Sequence, residues 1–361
     1  MKKIYFLLSL LLLFSLKVQS QKTQNLSRPE QDFETFWNTF KDNYAFFDLK
    51  KVDWDESYKE YRPKITKQTT EKELLETLEQ MVTPLKDGHI NILKGQDVIY
   101  KYKKQSPFLE EFKGFQKQLW ETSLATLEKN GFSKIKGSGP LFNDIYLYNS
   151  ARSNDLGFIR ISRCFGNIES LFDDKKEKQD IDLMLTLFDN ILKSFEDTKG
   201  IIIDLRANGG GHGGELLAKR FATEKRITHY KSVKEKGDYN SFSAQTPVYI
   251  EPNNGTQYLK PIVILTNDKT ASSAEDFTIS LYQQPNVTTV GTNTSGMMSD
   301  MYDGKLSKNI VFTLSNQRYY STDNKLLEDI GVPVKVEIKN SKQDIENKID
   351  PVVQKAIDIL R

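Results

Sequence analysis

From residue 33 the apolar positions fall on a helical period: Phe33, Phe36, Trp37 and Phe40 stand at i, i+3, i+4 and i+7. A second stripe holds Leu74, Leu75, Leu78, Met81 and Val82. It opens on Thr70 with Glu73 three positions later, the pairing of a capping box, and Pro84 closes it. These spacings predict a small helical domain over 22–95, with the stripes as its core. KDGHINIL, at 86–93, reads as a turn and then a short strand. The segment 96–142 is expected to be a helical insertion. Its main helix, over 107–130, carries Phe108, Phe112, Phe115, Leu119, Trp120, Leu124 and Leu127 and ends at Asn130–Gly131.

From 143 the period changes. DIYLYN and LGFIRIS read as strands, IDLMLTLFDNILKSF as a long helix, and GIIIDLR as an apolar strand ending in Asp204 and Arg206. The helix GGELLAKRF, the strands PVYIE and PIVILT, and a helix after Ser272 follow. VTTVG and NIVFTL are further strands, and IENKIDPVVQKAIDIL closes the chain as a helix. Strands alternating with helices over 143–361 predict an α/β core around a largely parallel, buried sheet.

The first residues change the picture of where the chain works. Two lysines, an apolar run and a polar stretch with Ser20 form a secretory signal over 1–20, too short for a comfortable membrane span. The mature chain is expected to be periplasmic or extracellular. Without Lys2, Lys3 and Lys17 the chain carries 48 basic and 49 acidic residues. That balance gives no bias toward nucleic acid or anionic membrane. Cys164 stands alone, so no internal disulfide forms. Histidine occurs at His89, His212 and His229 only, and no HExxH or CxxC spacing appears, which argues against zinc.

Two segments carry candidate chemistry. DLRANGGGHGG, 204–214, spells GxGxxG between a strand and a helix. The loop is too long for the tight dinucleotide turn, and no strand ending in one acid follows at the right distance. Two uses remain for it: a flexible turn, or backbone N–H donation to a developing oxyanion. TNDKTASSAEDF, 266–277, places Ser272 and Ser273 where a strand joins a helix. A serine there is either a nucleophile at the positive end of the helix or an N-cap. Glu275 reads as a partner of the same helix dipole.

IIIDLRANGGG, VILTNDKTASSAEDF, VGTNTSG, LKDGHINIL and LLEDIGVPVKVEI together resemble the tail-specific and tricorn-type serine peptidases. The resemblance implies a ClpP/crotonase-like peptidase domain behind a helical domain, and no PDZ domain in the short 96–142 segment. It implies Ser272 as nucleophile, and an oxyanion hole from the backbone N–H of Ser273 and of Gly209 or Gly210. The tail-specific base would be a lysine at the place of Met297, and a thioether cannot serve. The tricorn-type base is a histidine in LxDxH, which gives His89, with Gly88 where a serine often precedes it. Glu328, ahead of Gly331–Val332–Pro333, completes the site. The implied activity is peptide-bond hydrolysis through an acyl-enzyme, on an extended peptide or unfolded protein, with no cofactor. The same resemblance includes the interphotoreceptor retinoid-binding proteins, so a non-catalytic lipid- or peptide-binding protein on this fold is the alternative.

Overall fold

The computed structural model describes residues 26–95, 97–167, 174–306 and 309–361, and the expected signal segment lies outside them. The apolar runs at 200–204 and 262–266 are buried at every position, as β6 (Gly200–Asp204) and β9 (Ile262–Thr266). They form the middle of a seven-stranded sheet. Beyond β9 lie β10 (Val287–Gly291) and the short β14 (Val336–Glu337). Beyond β6 lie β5 (Leu156–Ile161), β4 (Ile145–Arg152) and β3 (Lys136–Phe142). Pairing is parallel from β14 through β5 and antiparallel from β5 to β3.

Successive residues of a strand face opposite ways, and the two faces are covered differently. Ile201, Ile203, Ile262 and Ile264 pack under α1 (Asp174–Lys193) and α2 (Ser273–Tyr282), through Met184, Phe188, Phe277 and Leu281. Ile202, Val263 and Leu265 meet Val352, Val353 and Ile357 of α3 (Pro351–Leu360) on the other side.

The N-terminal helices do not make their core alone. Phe33, Phe36 and Phe40 share one apolar cluster with Ile92 of β1 (Asn91–Lys94) and with Ile310, Phe312 and Leu314 of β12 (Ile310–Ser315). Strand β1 lies between β12 and β2 (Asp97–Lys101) in a four-stranded antiparallel sheet closed by β11 (Met301–Lys305). A third sheet pairs β13 (Gln317–Tyr320), β7 (Arg226–Val233) and β8 (Thr246–Ile250).

Two expected helices are each broken in two. The 107–130 helix stops at Glu111 and resumes at Gln116, because Gly114 turns the chain at φ +76°. The last helix breaks between Asn347 and Pro351: Lys348 adopts φ 53°, and the Asp350 carboxylate caps a new helix with Pro351 in its first position. The 96–142 segment also supplies β2 and β3.

Candidate active site

The two candidate segments leave β6 and β9, neighbouring parallel strands, at the same end of the sheet. At that end backbone groups are free to serve a ligand. The loops are stitched together three times. Ala271 N–H donates to the Asn208 carbonyl at 2.9 Å. Ala207 N–H donates to Asn267 Oδ1 at 3.0 Å, and Thr270 Oγ1 to the Leu205 carbonyl at 2.9 Å. Behind them the Arg206 guanidinium is fully buried, forked onto Asp204 and bonded to Asp350 at 2.8 Å. This is a brace inside the protein, consistent with a charge-assisted pair that never meets substrate.

The structure separates the two serines. Ser273 is buried, and its hydroxyl accepts the Gly214 N–H at 2.7 Å. It is therefore spent on the start of the short helix that follows the glycine loop. Ser272 is half-exposed and sits at the head of α2 with φ 53° and ψ −127°, a conformation costly for any residue with a side chain. No other side chain is hydrogen-bonded to its hydroxyl among the described residues. Its N–H is held by the Met297 carbonyl and by Glu275 Oε2, each at 3.0 Å.

Glu275 is more than a dipole partner. It is completely buried, and its carboxylate also accepts from Thr294 Oγ1 at 2.6 Å, Gly296 N–H at 2.7 Å and Met297 N–H at 2.9 Å. Burial pushes this carboxyl up, and the donors oppose that rise. The clamp fixes the 294–297 segment against the serine turn.

The glycines divide too. Gly210 turns at φ +94°, and a Cβ there would stand 2.7 Å from Ser272 Cβ and 3.0 Å from Ser273 N. Close approach of the loop thus requires glycine. Gly210 N–H is already donated to Asn208 Oδ1 at 2.9 Å. Gly209 is exposed, and a Cβ on it would meet nothing within 4 Å. Among the described residues neither Gly209 N–H nor Ser273 N–H donates to a protein group.

His89 comes from the N-terminal region, on the turn before β1. That turn lies against Met297: a Cβ at Gly88 would meet the end of the Met297 thioether, a flexible side chain that would have to shift to admit it. His89 and Asp87 are buried. Asp87 Oδ1 accepts the His89 N–H at 2.8 Å, an Asx-turn. Burial lowers the imidazole below its usual range, and the charge of Asp87 opposes it. Glu328 is buried and accepts the Met298 N–H at 3.3 Å. Burial first, and then the neighbouring Asp87, push its carboxyl well above the usual range, with Lys50 opposing. The Ser272 N–H, the Gly88 turn next to His89, and Glu328 thus each meet the Met297–Met298 segment. Lys305, the nearest lysine downstream, is exposed on β11.

The other histidines lie elsewhere. His212 Nδ1 pairs with Glu177 at 3.0 Å at the surface. His229 is buried on β7, stacked on Tyr319 with ring centroids 5.1 Å apart. Among the described residues no group of three or more His, Cys, Asp or Glu side chains is arranged to hold a metal ion. Sequence reading missed Ser315, whose hydroxyl lies 3.5 Å from His89 Nδ1. It also missed the burial of Asp87, although the Asp-Gly-His turn was a signal for an Asx-turn.

Comparison with known proteins adds to this geometry. Residues 28–83 match the Tricorn protease C1 domain. No curated protein matches the chain by sequence. Among solved structures, a candidate peptidase from Parabacteroides merdae ATCC 43184 is 24% identical at TM-score 0.71, covering 92% of this chain and 97% of its own. Mature CPAF is 14% identical at TM-score 0.58, over 92% and 96%. The tricorn protease is 15% identical at TM-score 0.55, over 92% of this chain and 36% of its own. At these identities the likeness is one of fold. The family follows from the sequence over the parallel strands β5 to β14 and both loops, where residues 155–338 match the model of peptidase family S41. The chain belongs to peptidase family S41 and is a serine-type peptidase whose substrates are proteins.

Proposed function

We propose that the chain is an endopeptidase working through a Ser272 acyl-enzyme, with His89 as base and Glu328 in support. Ser272 Oγ attacks the scissile carbonyl carbon while His89 takes its proton. The N–H groups of Ser273 and Gly209 receive the negative charge that develops on the carbonyl oxygen. His89 then gives the proton to the leaving amine, and the acyl-enzyme ester remains. A water, deprotonated by the same imidazole, attacks the ester and restores the serine. The lowered His89 favours the neutral ring at neutral pH, the form a base requires. The observation that carries this reading is the contrast between the serines. Ser273 is tied to Gly214, whereas Ser272 stands in a strained turn beside unengaged N–H groups.

An extended peptide lying along a sheet edge is the substrate form that such a site accepts. The run of Lys2, Lys3 and apolar residues supports secretion, to the periplasm or beyond. Among the described residues no helix is long and apolar enough to cross a membrane.

A fluorophosphonate probe tests the nucleophile without knowledge of the substrate. One adduct is expected, on the peptide containing Ser272, and it should disappear in Ser272→Ala and be slowed in His89→Ala. Labelling on Ser273, or none on the folded protein, would count against this assignment.

A further inference from the structure

A histidine base works from one tautomer. The nitrogen facing the nucleophile must hold the lone pair, and the other must hold the proton. Something has to fix that choice, and in serine–histidine–acid sites it is a partner on the second nitrogen. His89 is held at three points. Its N–H donates to Asp87 Oδ1 at 2.8 Å. Its carbonyl accepts from Thr313 Oγ1 at 2.5 Å and from Asn91 Nδ2 at 3.3 Å. Its ring nitrogen Nδ1 lies 3.5 Å from Ser315 Oγ.

Thr313 and Ser315 are two positions apart on β12, so both side chains leave the same face of that strand. One grips the main chain of His89, and the other meets its ring. Ser315 is completely buried and its hydroxyl has no other hydrogen-bond partner among the described residues, so the tautomer of His89 sets which of the two atoms donates. Glu328 holds Met298 instead, and among the described residues no hydrogen bond joins it to the ring. The charged groups facing His89 are Asp87 on its own turn, Lys101 on β2 and Asp300 ahead of β11. None of the three hydrogen-bonds to the imidazole. A distance of 3.5 Å is the outer edge of a hydrogen bond, and such contacts in unliganded sites tighten when substrate is bound.

We propose that Ser315 is the positioning residue of His89: its hydroxyl accepts the Nδ1 proton and leaves Nε2 as the nitrogen that deprotonates Ser272. It keeps hold of Nδ1–H when the ring becomes imidazolium. The inference rests on the Ser272/His89 reading above.

The test compares wild type, Ser315→Ala and Ser315→Thr in the full mature chain. Two readouts are taken: kcat and KM on an unfolded protein from pH 5 to 9, and the nitrogen-15 shifts of the imidazoles. With three histidines in the chain, a His89→Asn sample assigns the signals. The alanine variant should lose roughly tenfold to a hundredfold in kcat, part of what a well-placed base contributes, with KM unchanged. Its His89 shifts should move from the Nδ1–H form toward a mixture, and threonine should restore both readouts. Unchanged kcat and unchanged shifts in the alanine variant overturn the proposal. A wild type that cleaves nothing contradicts the peptidase mechanism, and the shifts still decide the role of Ser315: altered in alanine they uphold it, unaltered they refute it. Ser315→Cys, similar in volume but a weak acceptor, answers the same question if the alanine chain does not fold.

Discussion

Thr70–Glu73 and Ser272–Glu275 are the same signature in sequence, a hydroxyl followed three positions later by glutamate. In the structure they differ entirely. Glu73 is exposed and does no more than cap its helix. Glu275 is buried and takes four hydrogen bonds from Ser272, Thr294, Gly296 and Met297. The pattern of residues locates the cap, but burial depends on a segment that arrives some twenty positions later, so sequence reading sees a dipole partner only. Glu275→Gln turns one accepting oxygen into an amide nitrogen facing a donor. About 1–3 kcal/mol of stability should be lost, the range for a buried donor left without its partner. A fall in the urea midpoint, with slower cleavage than wild type under folding conditions, is the expected result. A midpoint equal to that of wild type would show that the clamp is not needed.

At the scale of elements, the helical stripes and the apolar strands were legible because each obeys a local period. What joins them was not. The helices of the N-terminal region close on β12, which lies more than two hundred positions away. Phe312 packs against Phe36 at a tilt and stacks on Phe40, at centroid distances of 4.7 and 5.8 Å. The same strand carries Thr313 and Ser315 to His89. Phe312→Ala should cost about 3–5 kcal/mol. It should also raise hydrogen exchange in the N-terminal helices and in the 86–91 turn before it reaches β6 or β9. Uniform exchange across the whole chain would contradict this coupling of the helices to the histidine turn. Gly114 and Pro351 show the reverse case. The breakers were visible in sequence, yet apolar periodicity ran across both, and the backbone obeyed the breaker.

For the whole molecule, charge is nearly balanced, so its response to pH comes from particular buried groups. Burial on β7 lowers His229 to about 3, with Lys231 adding to the effect. The unfolded chain would bind a proton there near the ordinary value of ~6.5. Between those values the unfolded state holds more protons, so stability falls as pH is lowered from about 6.5 toward 3. Asp276 acts in the opposite sense: burial raises it to about 8, so its contribution is lost as pH rises toward that value. Because the two slopes overlap, the His229 share is read as a difference. His229→Phe keeps a ring to stack on Tyr319 and should flatten the acid side of the stability profile measured by thermal unfolding. A variant profile parallel to that of wild type from pH 4 to 6.5 would show that His229 is not held neutral.

Ser272, His89 and Glu328 could be proposed from motifs, but only the fold brings the three distant segments that carry them onto Met297–Met298. The most direct test of that convergence is kcat/KM for an unfolded protein substrate across pH 5 to 9, for wild type, Ser272→Ala and His89→Ala. Both variants should lose about a thousandfold or more. The acid limb of wild type should lie below the ordinary histidine value of ~6.5, because burial lowers His89. Cleavage by Ser272→Ala at the wild-type rate would contradict the account.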